Sequence, residues 1–358
     1  MLYWLLYPMA DQFFAFNVFR YITFRSLGAA VTAFLLGVLL GPWVIGKLRE
    51  LKYGQQIRTD GPQTHMAKQG TPTMGGVLIL GSILVSVLLW SRLNSEKMWV
   101  VMFTMTGFGV IGFYDDWLKI TKKNTKGLSG KLRLLCEFLI AGTVGYWVWT
   151  RGISTELSVP FIKEFTPDIG AFYVFLAMFV IVGAANAVNL TDGLDGLAIG
   201  PIIICSAAYA VLAYLTGHQK IADYLQLPFV PGAGELAVIG SAAAGAGLAF
   251  LWFNCHPALV FMGDVGALAL GALIGSIAVL AKHEFLLVIV GGVFVIETVS
   301  VMMQVSWYKL SGGRRIFRMA PLHHHFEQVG WPETRVTVRF WIISIILALV
   351  SFSTLKLR

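Results

Sequence analysis

The feature that most constrains this chain is a succession of long apolar segments, joined by short polar connections, between residues 22 and 355. A helix needs about 20 apolar residues to cross a bilayer, and most of these segments approach that length. The composition agrees, because 57% of the 358 residues are apolar or aromatic and 13% are charged, whereas soluble domains carry about 25% charged residues. We therefore predict an all-α, polytopic membrane helical bundle of about ten transmembrane helices. The predicted spans are residues 22–46, 74–90, 99–114, 132–149, 171–189, 196–215, 236–253, 266–281, 285–308 and 338–355.

The basic residues predict the orientation of the bundle. Alternate connections, with their adjoining helix ends, carry more than half of the 27 lysines and arginines, and such connections face the cytoplasm by the positive-inside rule. An even number of spans then places both termini on the periplasmic side. Residues 1–21, rich in aromatic side chains, are expected to lie in the membrane interface, and residues 1–358 to form one integral-membrane domain. The predicted cytoplasmic loops are residues 47–73, 115–131, 190–195, 254–265 and 309–337.

The same loops hold dense groups of Asp, Asn, His, Lys and Gly beside helix ends, whereas the outer loops hold only scattered charges. A transporter usually needs polar groups near the bilayer midplane. Chemistry concentrated at one face favours an enzyme at the cytoplasmic membrane surface, in bacteria the inner membrane. A cation- or proton-coupled transporter stays as the alternative. The net charge of +8 is attributed to the basic cytoplasmic loops and to phosphate binding, and nucleic acid is not expected as a partner.

Asp115 and Asp116 follow the third apolar run. Adjacent carboxylates repel one another and are unfavourable at a helix C-terminus, so a cation should compensate them. Mg²⁺ bridged to a diphosphate fits, since Mg²⁺ takes one or two carboxylates and shares its other positions with phosphates. The alternative is a solvated helix end paired with Lys119, Lys122 or Lys123.

Asn186, Asn189, Asp192 and Asp195 recur at intervals of three residues. If the helix persists, they form one polar stripe at its cytoplasmic end. Because carboxylates are costly in hydrocarbon, such a stripe should face an aqueous cavity or a ligand. The alternative is that Asp192 or Asp195 caps the following helix.

Asp264 stands between two glycines, after Phe261 and Asn254 in the chain. Its glycines allow a backbone to approach a phosphate closely, which makes Asp264 a candidate metal ligand or nucleophile. A lone Asp before an apolar run is also a candidate N-cap.

His323, His324 and His325 follow a group of arginines. Consecutive histidines on a regular helix cannot all face one metal, so an anion-binding surface fits better than a zinc site. The alternatives are a solvated polar loop and a basic segment attracted to anionic lipid.

Residues 68–76 form a Gly-rich segment with Lys68 and Thr73 before an apolar run, a composition that can cradle phosphate oxygens although it lacks the Walker A spacing. Lys131, at the start of the fourth run, could reach a phosphate. Glu297 and Gln304 lie inside the ninth run, where hydrogen bonding between helices is the expected role.

Together these motifs resemble the polyprenyl-phosphate N-acetylhexosamine-1-phosphate transferases over nearly the whole chain. The resemblance is carried by the following segments: Asp115–Asp116, Asn189–Gly196, Phe261–Asp264 and Pro321–Glu327. Residues 68–76 and 319–325 favour the branch that uses a muramoyl donor over relatives that use UDP-N-acetylglucosamine.

The resemblance implies transfer of phospho-MurNAc-pentapeptide from its UDP carrier to undecaprenyl phosphate, with Mg²⁺, giving UMP and lipid I. It implies that Asp264 holds Mg²⁺, together with Asp192, while Asp115 or Asp116 orients or deprotonates the acceptor phosphate. In a competing scheme Asp264 is a nucleophile. A homodimer and inhibition by nucleoside antibiotics are also implied. The substrate-binding residues implied are Lys68, Thr73, Lys131, Asn189, Asp192, Asp195, Asn254, Phe261, His323, His324 and His325.

Overall fold

The computed structural model describes residues 1–51, 70–122, 127–162 and 165–355. Within these ranges the regular structure is helical, and isolated bridge residues such as Glu156 and Asp168 form no strand. The all-α prediction is thereby confirmed. The α-helices are α1 Leu2–Leu6, α2 Ile22–Glu50, α3 Gly76–Trp90, α4 Glu96–Thr121, α5 Gly130–Thr150, α6 Tyr173–Thr191, α7 Ile199–Thr216, α8 Gln219–Leu225, α9 Leu236–Asn254, α10 Gly263–Leu280, α11 Leu286–Val290, α12 Gly292–Leu310, α13 Leu322–Val329 and α14 Glu333–Ser353.

A helix lies at each of the ten predicted spans, and eight helices of the described chain are long and apolar enough to cross a membrane. The two that fall short are α3, with 15 residues, and α12, whose second half carries polar side chains. The polytopic bundle is confirmed, while the number of ten spans and the periplasmic side of the termini stay predictions. Residues 1–20 form α1 and two short 3₁₀ segments, and the Met1 amino group donates hydrogen bonds to the carbonyls of Leu88 and Leu89.

Three predicted boundaries are wrong. Helix α4 continues to Thr121, so residues 115–121 are helical and not part of a loop. The run 285–308 divides at Gly291, whose ψ of 19° leaves the helical region, because paired glycines weaken a helix. Helix α14 begins at Glu333, directly after Pro332, which favours the first turn of a helix.

Helix α10 forms the centre of the bundle, with all its residues from Val265 to Leu280 buried. It packs against α4 and α6, and glycines allow the backbones to approach. A Cβ on Gly112 of α4 would lie 2.3 Å from the carbonyl oxygen of Asp264. Small residues at such crossings are typical of membrane helices. This crossing brings the start of α10 against the part of α4 that contains Asp115 and Asp116.

At the opposite end of the bundle, a buried ion pair ties α2 to α9. The Arg25 guanidinium contacts both carboxylate oxygens of Glu235, at 2.7 and 2.6 Å, and Arg92 lies 3.7 Å from the same carboxylate. Charge-assisted bidentate pairing satisfies both groups where water is excluded. The pairing joins α2 to the start of α9 at this end of the bundle.

Candidate active site

Segments of all five predicted cytoplasmic loops meet at one end of the bundle. The Gly-rich segment before α3 runs alongside the segment before α10, because Phe261 donates its backbone N–H to Pro72 (2.8 Å) and Gly75 donates to Phe261 (2.8 Å). Thr73 is buried beside Gly263, since a Cβ on that glycine would lie 3.0 Å from the Thr73 hydroxyl. Lys68 lies outside the described residues.

Three carboxylates form the centre of this end. Asp115 and Asp116 on α4 and Asp264 on α10 place carboxylate oxygens within 4.8 Å of one another. Gly263, with a φ of +72°, makes the approach possible, because a Cβ there would lie 2.5 Å from Asp116 Oδ2. Both α4 carboxylates are buried, and 14% of the Asp264 side chain is exposed. The cluster therefore opens to solvent on its Asp264 side. We call these three residues the carboxylate cluster.

Lys119, one turn along α4, is a direct counter-ion of the cluster. Its Nζ lies 2.6 Å from Asp115 Oδ2 and 2.6 Å from Asp264 Oδ2. The backbone N–H of Leu128 donates to Asp115 (2.6 Å), and that of Val265 donates to Asp116 (3.3 Å). Of the two alternatives for this motif, a solvated helix end is wrong because the carboxylates are buried and bonded, although its pairing with Lys119 is correct.

A second cation reaches the cluster from α5. Arg133 lies 3.7 Å from Asp264 Oδ2 and 3.5 Å from Glu137, and donates to the Asn186 side-chain oxygen at 3.2 Å. Asn186 in turn donates to Glu137 at 2.6 Å, and Glu137 is fully buried. This network holds the guanidinium beside Asp264, while Arg133 Nε and Glu137 Oε1 stay buried without a hydrogen bond.

The cluster suits a divalent cation. Carboxylate oxygens are the ligands that Mg²⁺ prefers, and three carboxylates outnumber the two cations that neighbour them. Asp192 lies just beyond the end of α6 and outside this group of three. Desolvation, followed by the charges of Asp264 and Asp195, raises the pKa of Asp192 to about 7. A cation bound nearby would favour its ionised form.

The predicted polar stripe on α6 does not extend to its last member. The helix ends at Thr191, and Asp192 has a ψ of 52°, so the chain leaves the helix before Asp195. The Asp195 carboxylate lies 3.1 Å from His256 Nδ1 and accepts from the backbone N–H of Ala258 at 3.1 Å. Its role is therefore to join two loops, and neither it nor Asp192 caps the start of α7, at Ile199.

Asn254, predicted to line the nucleotide pocket, is buried with both ends of its amide engaged. It accepts from the Gly196 N–H at 3.1 Å and donates to the Val260 carbonyl at 2.8 Å. The side chain thus braces the segment before α10 against the segment before α7.

The three histidines begin α13 and point in different directions, as expected for neighbours on a helix. His323 is buried, and both its backbone N–H and its Nδ1 lie 3.1 Å from carboxylate oxygens of Glu297. His324 Nδ1 lies 2.7 Å from Glu327, and His325 Nδ1 accepts from a backbone N–H at 3.1 Å. The three imidazoles therefore bond to three different groups: Glu297, Glu327 and the backbone of Arg318.

His323 connects this segment to the loop after α6. A Cβ on Gly193 would lie 2.2 Å from His323 Nε2, so the imidazole packs directly on the glycine backbone. The interior hydrogen bonding expected of Glu297 is confirmed, and its partner is a histidine of the candidate site. Asn189 is half-buried at the end of α6 and Phe261 is half-buried beside the Gly-rich segment, whereas Lys131 is exposed in the first turn of α5.

Several residues of this end were not predicted from the sequence as site residues: Arg133, Glu137, His256 and Glu333. A signal existed for two of them, because Arg133 and Glu137 are charges four residues apart at the start of an apolar run, and an ionisable group there usually has a partner. His256 and Glu333 are far apart in the chain, and no spacing joins them.

Comparison with known proteins identifies the family. The model of Glycosyl transferase family 4 matches residues 98–282, and a signature of phospho-N-acetylmuramoyl-pentapeptide-transferases matches residues 68–80. The phospho-N-acetylmuramoyl-pentapeptide-transferase of Syntrophus aciditrophicus is 57% identical over 100% of both chains. The proteins of the same name from Desulfotalea psychrophila and Citrifermentans bemidjiense are each 56% identical, again over 100% of both chains.

A helical membrane bundle with a carboxylate cluster at one end is thus a membrane protein of the Glycosyl transferase 4 class. The identity extends over the whole length of the relatives, so it includes α12 to α14, which lie outside the class match. The chain belongs to the phospho-N-acetylmuramoyl-pentapeptide-transferase family.

Proposed function

We propose that this chain transfers phospho-MurNAc-pentapeptide from UDP-MurNAc-pentapeptide to undecaprenyl phosphate, giving lipid I and UMP, at the cytoplasmic face of the bacterial inner membrane. The observation that carries the proposal is the carboxylate cluster with Lys119 between Asp115 and Asp264. Phosphoryl transfer depends mainly on positioning and charge neutralisation, for which carboxylates and cations suffice. A lipid phosphate acceptor accounts for the location of the site within a membrane protein.

On the donor side, Asp264 would hold Mg²⁺, with Asp192 as a second candidate ligand. When bound, Mg²⁺ would neutralise charge on the donor diphosphate. Arg133 and Lys119 hold the Asp264 carboxylate in place through contacts of 3.7 and 2.6 Å. A carboxylate paired with two cations is a weak nucleophile, which favours metal binding by Asp264 over the scheme with a covalent intermediate.

On the acceptor side, Asp115 or Asp116 would orient or deprotonate the lipid phosphate. The buried position of both carboxylates keeps water from competing for them. Lys68 and Lys131 would pair with phosphates. Lys119 contacts Asp264 on the donor side and Asp115 on the acceptor side, so it could stay paired with either carboxylate while charge shifts between the two sides.

The nucleotide would lie against the loop after α6. Asn189 is half-buried at the end of α6, and Asn254 and Asp195 hold the backbone of the loop in place. Phe261 and Thr73 lie beside the start of α10, where they would line the same pocket. His323, His324 and His325 would organise the donor beside Gly193, which His323 contacts. A homodimer and inhibition by nucleoside antibiotics are part of the same proposal.

The deciding experiment is UMP release by purified protein in detergent. We expect release with UDP-MurNAc-pentapeptide only when undecaprenyl phosphate and Mg²⁺ are present, and loss of release in Asp264→Asn. Release with UDP-N-acetylglucosamine but not with the muramoyl donor would contradict the assigned substrate. Near-normal turnover of Asp264→Asn would contradict both roles considered for this residue, and trapping of an aspartyl intermediate with donor alone would favour the nucleophile.

The transporter alternative is not favoured. It predicted essential acids reachable from both faces, whereas the carboxylate cluster lies at one end of the bundle. Uptake of a solute by proteoliposomes, without UMP release, would restore it.

A further inference from the structure

The backbone between the loop after α6 and the start of α7 is held by side chains from distant parts of the chain. All four backbone polar groups of Asp195 and Gly196 bond to side chains. The Asp195 N–H donates to Glu333 at 2.6 Å, and its carbonyl accepts from the Thr337 hydroxyl at 3.3 Å. The Gly196 N–H donates to Asn254 at 3.1 Å, and its carbonyl accepts from the Trp341 indole at 3.0 Å.

Three of these four partners belong to α14. Glu333, Thr337 and Trp341 are spaced by four residues, so they occupy one face of the helix on successive turns. A single helix face therefore supplies one acceptor, Glu333, for the Asp195 N–H. It also supplies two donors, Thr337 and Trp341, for the carbonyls of Asp195 and Gly196. We call these three residues the α14 ladder.

The packing at this contact depends on glycine. A Cβ on Gly200 would lie 2.0 Å from the indole nitrogen of Trp341, and one on Gly196 would lie 3.5 Å from the same ring. Gly196 also has a φ of +73°, which other residues rarely adopt. The indole can reach the Gly196 carbonyl because Gly200 lacks a side chain, and at Gly196 the backbone conformation is what favours glycine.

The ladder adjoins residues proposed to handle the donor. Asp192 and Gly193 lie three and two residues before Asp195, and His323 packs on Gly193. The Asp195 carboxylate lies 3.1 Å from His256 Nδ1, and the same nitrogen lies 3.6 Å from the Glu333 carboxylate. Movement of the ladder would therefore move the loop that carries Asp192.

We propose that Glu333, Thr337 and Trp341 are positioning residues, which hold the loop after α6 in the geometry that binds the nucleotide diphosphate donor. They act through the backbone of Asp195 and Gly196 and do not touch the substrate. The proposal rests on the proposed function, since it assigns the donor to this loop.

The first test is amide hydrogen exchange in detergent, measured by mass spectrometry on peptides that contain Asp195 and Gly196. Glu333→Ala removes the acceptor of the Asp195 N–H, and we expect exchange in this peptide to increase at least about 10-fold. Glu333→Gln retains an acceptor oxygen and should restore slow exchange. Ser351→Ala is the matched control, because the Ser351 hydroxyl bonds only within α14, to Ala348 at 2.7 Å.

The second test is steady-state UMP release. Loss of a positioning hydrogen bond should raise KM for the donor about 3- to 10-fold in Glu333→Ala and Trp341→Phe. The values of kcat and of KM for undecaprenyl phosphate should change less than about twofold. Trp341→Phe keeps an aromatic ring and loses the donor, so it gives a folded variant if Glu333→Ala loses stability.

Three results would overturn the proposal: unchanged exchange in Glu333→Ala, equal acceleration in Ser351→Ala, or exchange in Glu333→Gln as fast as in Glu333→Ala. Kinetics with Asp192→Asn separate this failure from failure of the proposed function. If Asp192→Asn raises donor KM and the ladder variants do not, the ladder is not a positioning device. If Asp192→Asn leaves donor KM unchanged, the assignment of the donor to this loop is wrong.

Discussion

Glu297 provides a direct test of the histidine arrangement, because it has one partner that belongs to the candidate site. Both of its carboxylate oxygens lie 3.1 Å from nitrogens of His323, one in the backbone and one in the ring. The Glu297 side chain is 0% exposed, so water cannot replace either contact. Glu297→Gln keeps the size of the side chain and one acceptor, and removes the charge.

The expected loss follows from the two contacts. Hydrogen bonds to a charged group contribute about 1.5–3 kcal/mol and neutral ones about 0.5–1.5 kcal/mol. Neutralising Glu297 therefore costs about 1 kcal/mol per bond, or about 2 kcal/mol for both. If His323 must stay in place to organise the donor, kcat/KM falls about 30-fold. The assay is UMP release with varied UDP-MurNAc-pentapeptide, alongside a melting curve in the same detergent.

Ser300→Ala is the control for this variant. Ser300 is buried one turn along α12, and its hydroxyl donates to the Glu297 backbone carbonyl at 2.6 Å. It should retain kcat/KM within about twofold. A folded Glu297→Gln protein with wild-type kcat/KM would refute the reasoning, as would an equal loss in Ser300→Ala.

Three further outcomes are expected. Lys119→Met should lower the Mg²⁺ concentration needed for half-maximal activity and also lower kcat, since the cluster loses its nearest cation; an unchanged Mg²⁺ titration of UMP release would contradict this. Gly112→Ala places a Cβ 2.3 Å from the Asp264 carbonyl oxygen, and should lower the melting temperature and kcat together, so a wild-type melting curve would argue against the tight crossing. Arg25→Met leaves the buried Glu235 carboxylate without its bidentate partner and should cost about 3–5 kcal/mol of stability, with unchanged kcat in the protein that stays folded; a kcat loss without a stability loss would be the contrary result.

The helical bundle could be predicted because the hydrophobic pattern is set by the bilayer itself. The end of a span was harder to predict where polar residues continue a helix. The apolar pattern stops before Asp115, yet α4 continues to Thr121 because Lys119 and the Leu128 N–H satisfy that carboxylate. A hydropathy profile shows that a residue is charged, but it does not show whether a partner satisfies that charge. The same limit explains why the prediction left open whether this motif was a metal site or an ordinary ion pair.

The site residues that the sequence did not reveal depend on tertiary contacts. Asp195 was placed on a helical stripe because its spacing is in phase, but α6 ends at Thr191 and the Asp195 carboxylate faces His256. Its backbone N–H donates to Glu333, 138 residues further along the chain. No local periodicity contains such a contact. The motifs identified which segments carry chemistry, and the packing of α14 determines how one of them is held.

The balance of charge at the carboxylate cluster explains why this site should depend on a cation. Three carboxylates lie beside Lys119 and Arg133, and Arg133 is also paired with the buried Glu137, so these six charged groups, all ionised, sum to −2. At an effective dielectric constant of about 20, two like charges about 4 Å apart repel by about 4 kcal/mol. A diphosphate approaching this cluster would therefore be repelled by it. One divalent ion changes the sum from −2 to 0, which removes this repulsion. The carboxylates, which alone would exclude phosphates, are for this reason suited to bind them through a metal.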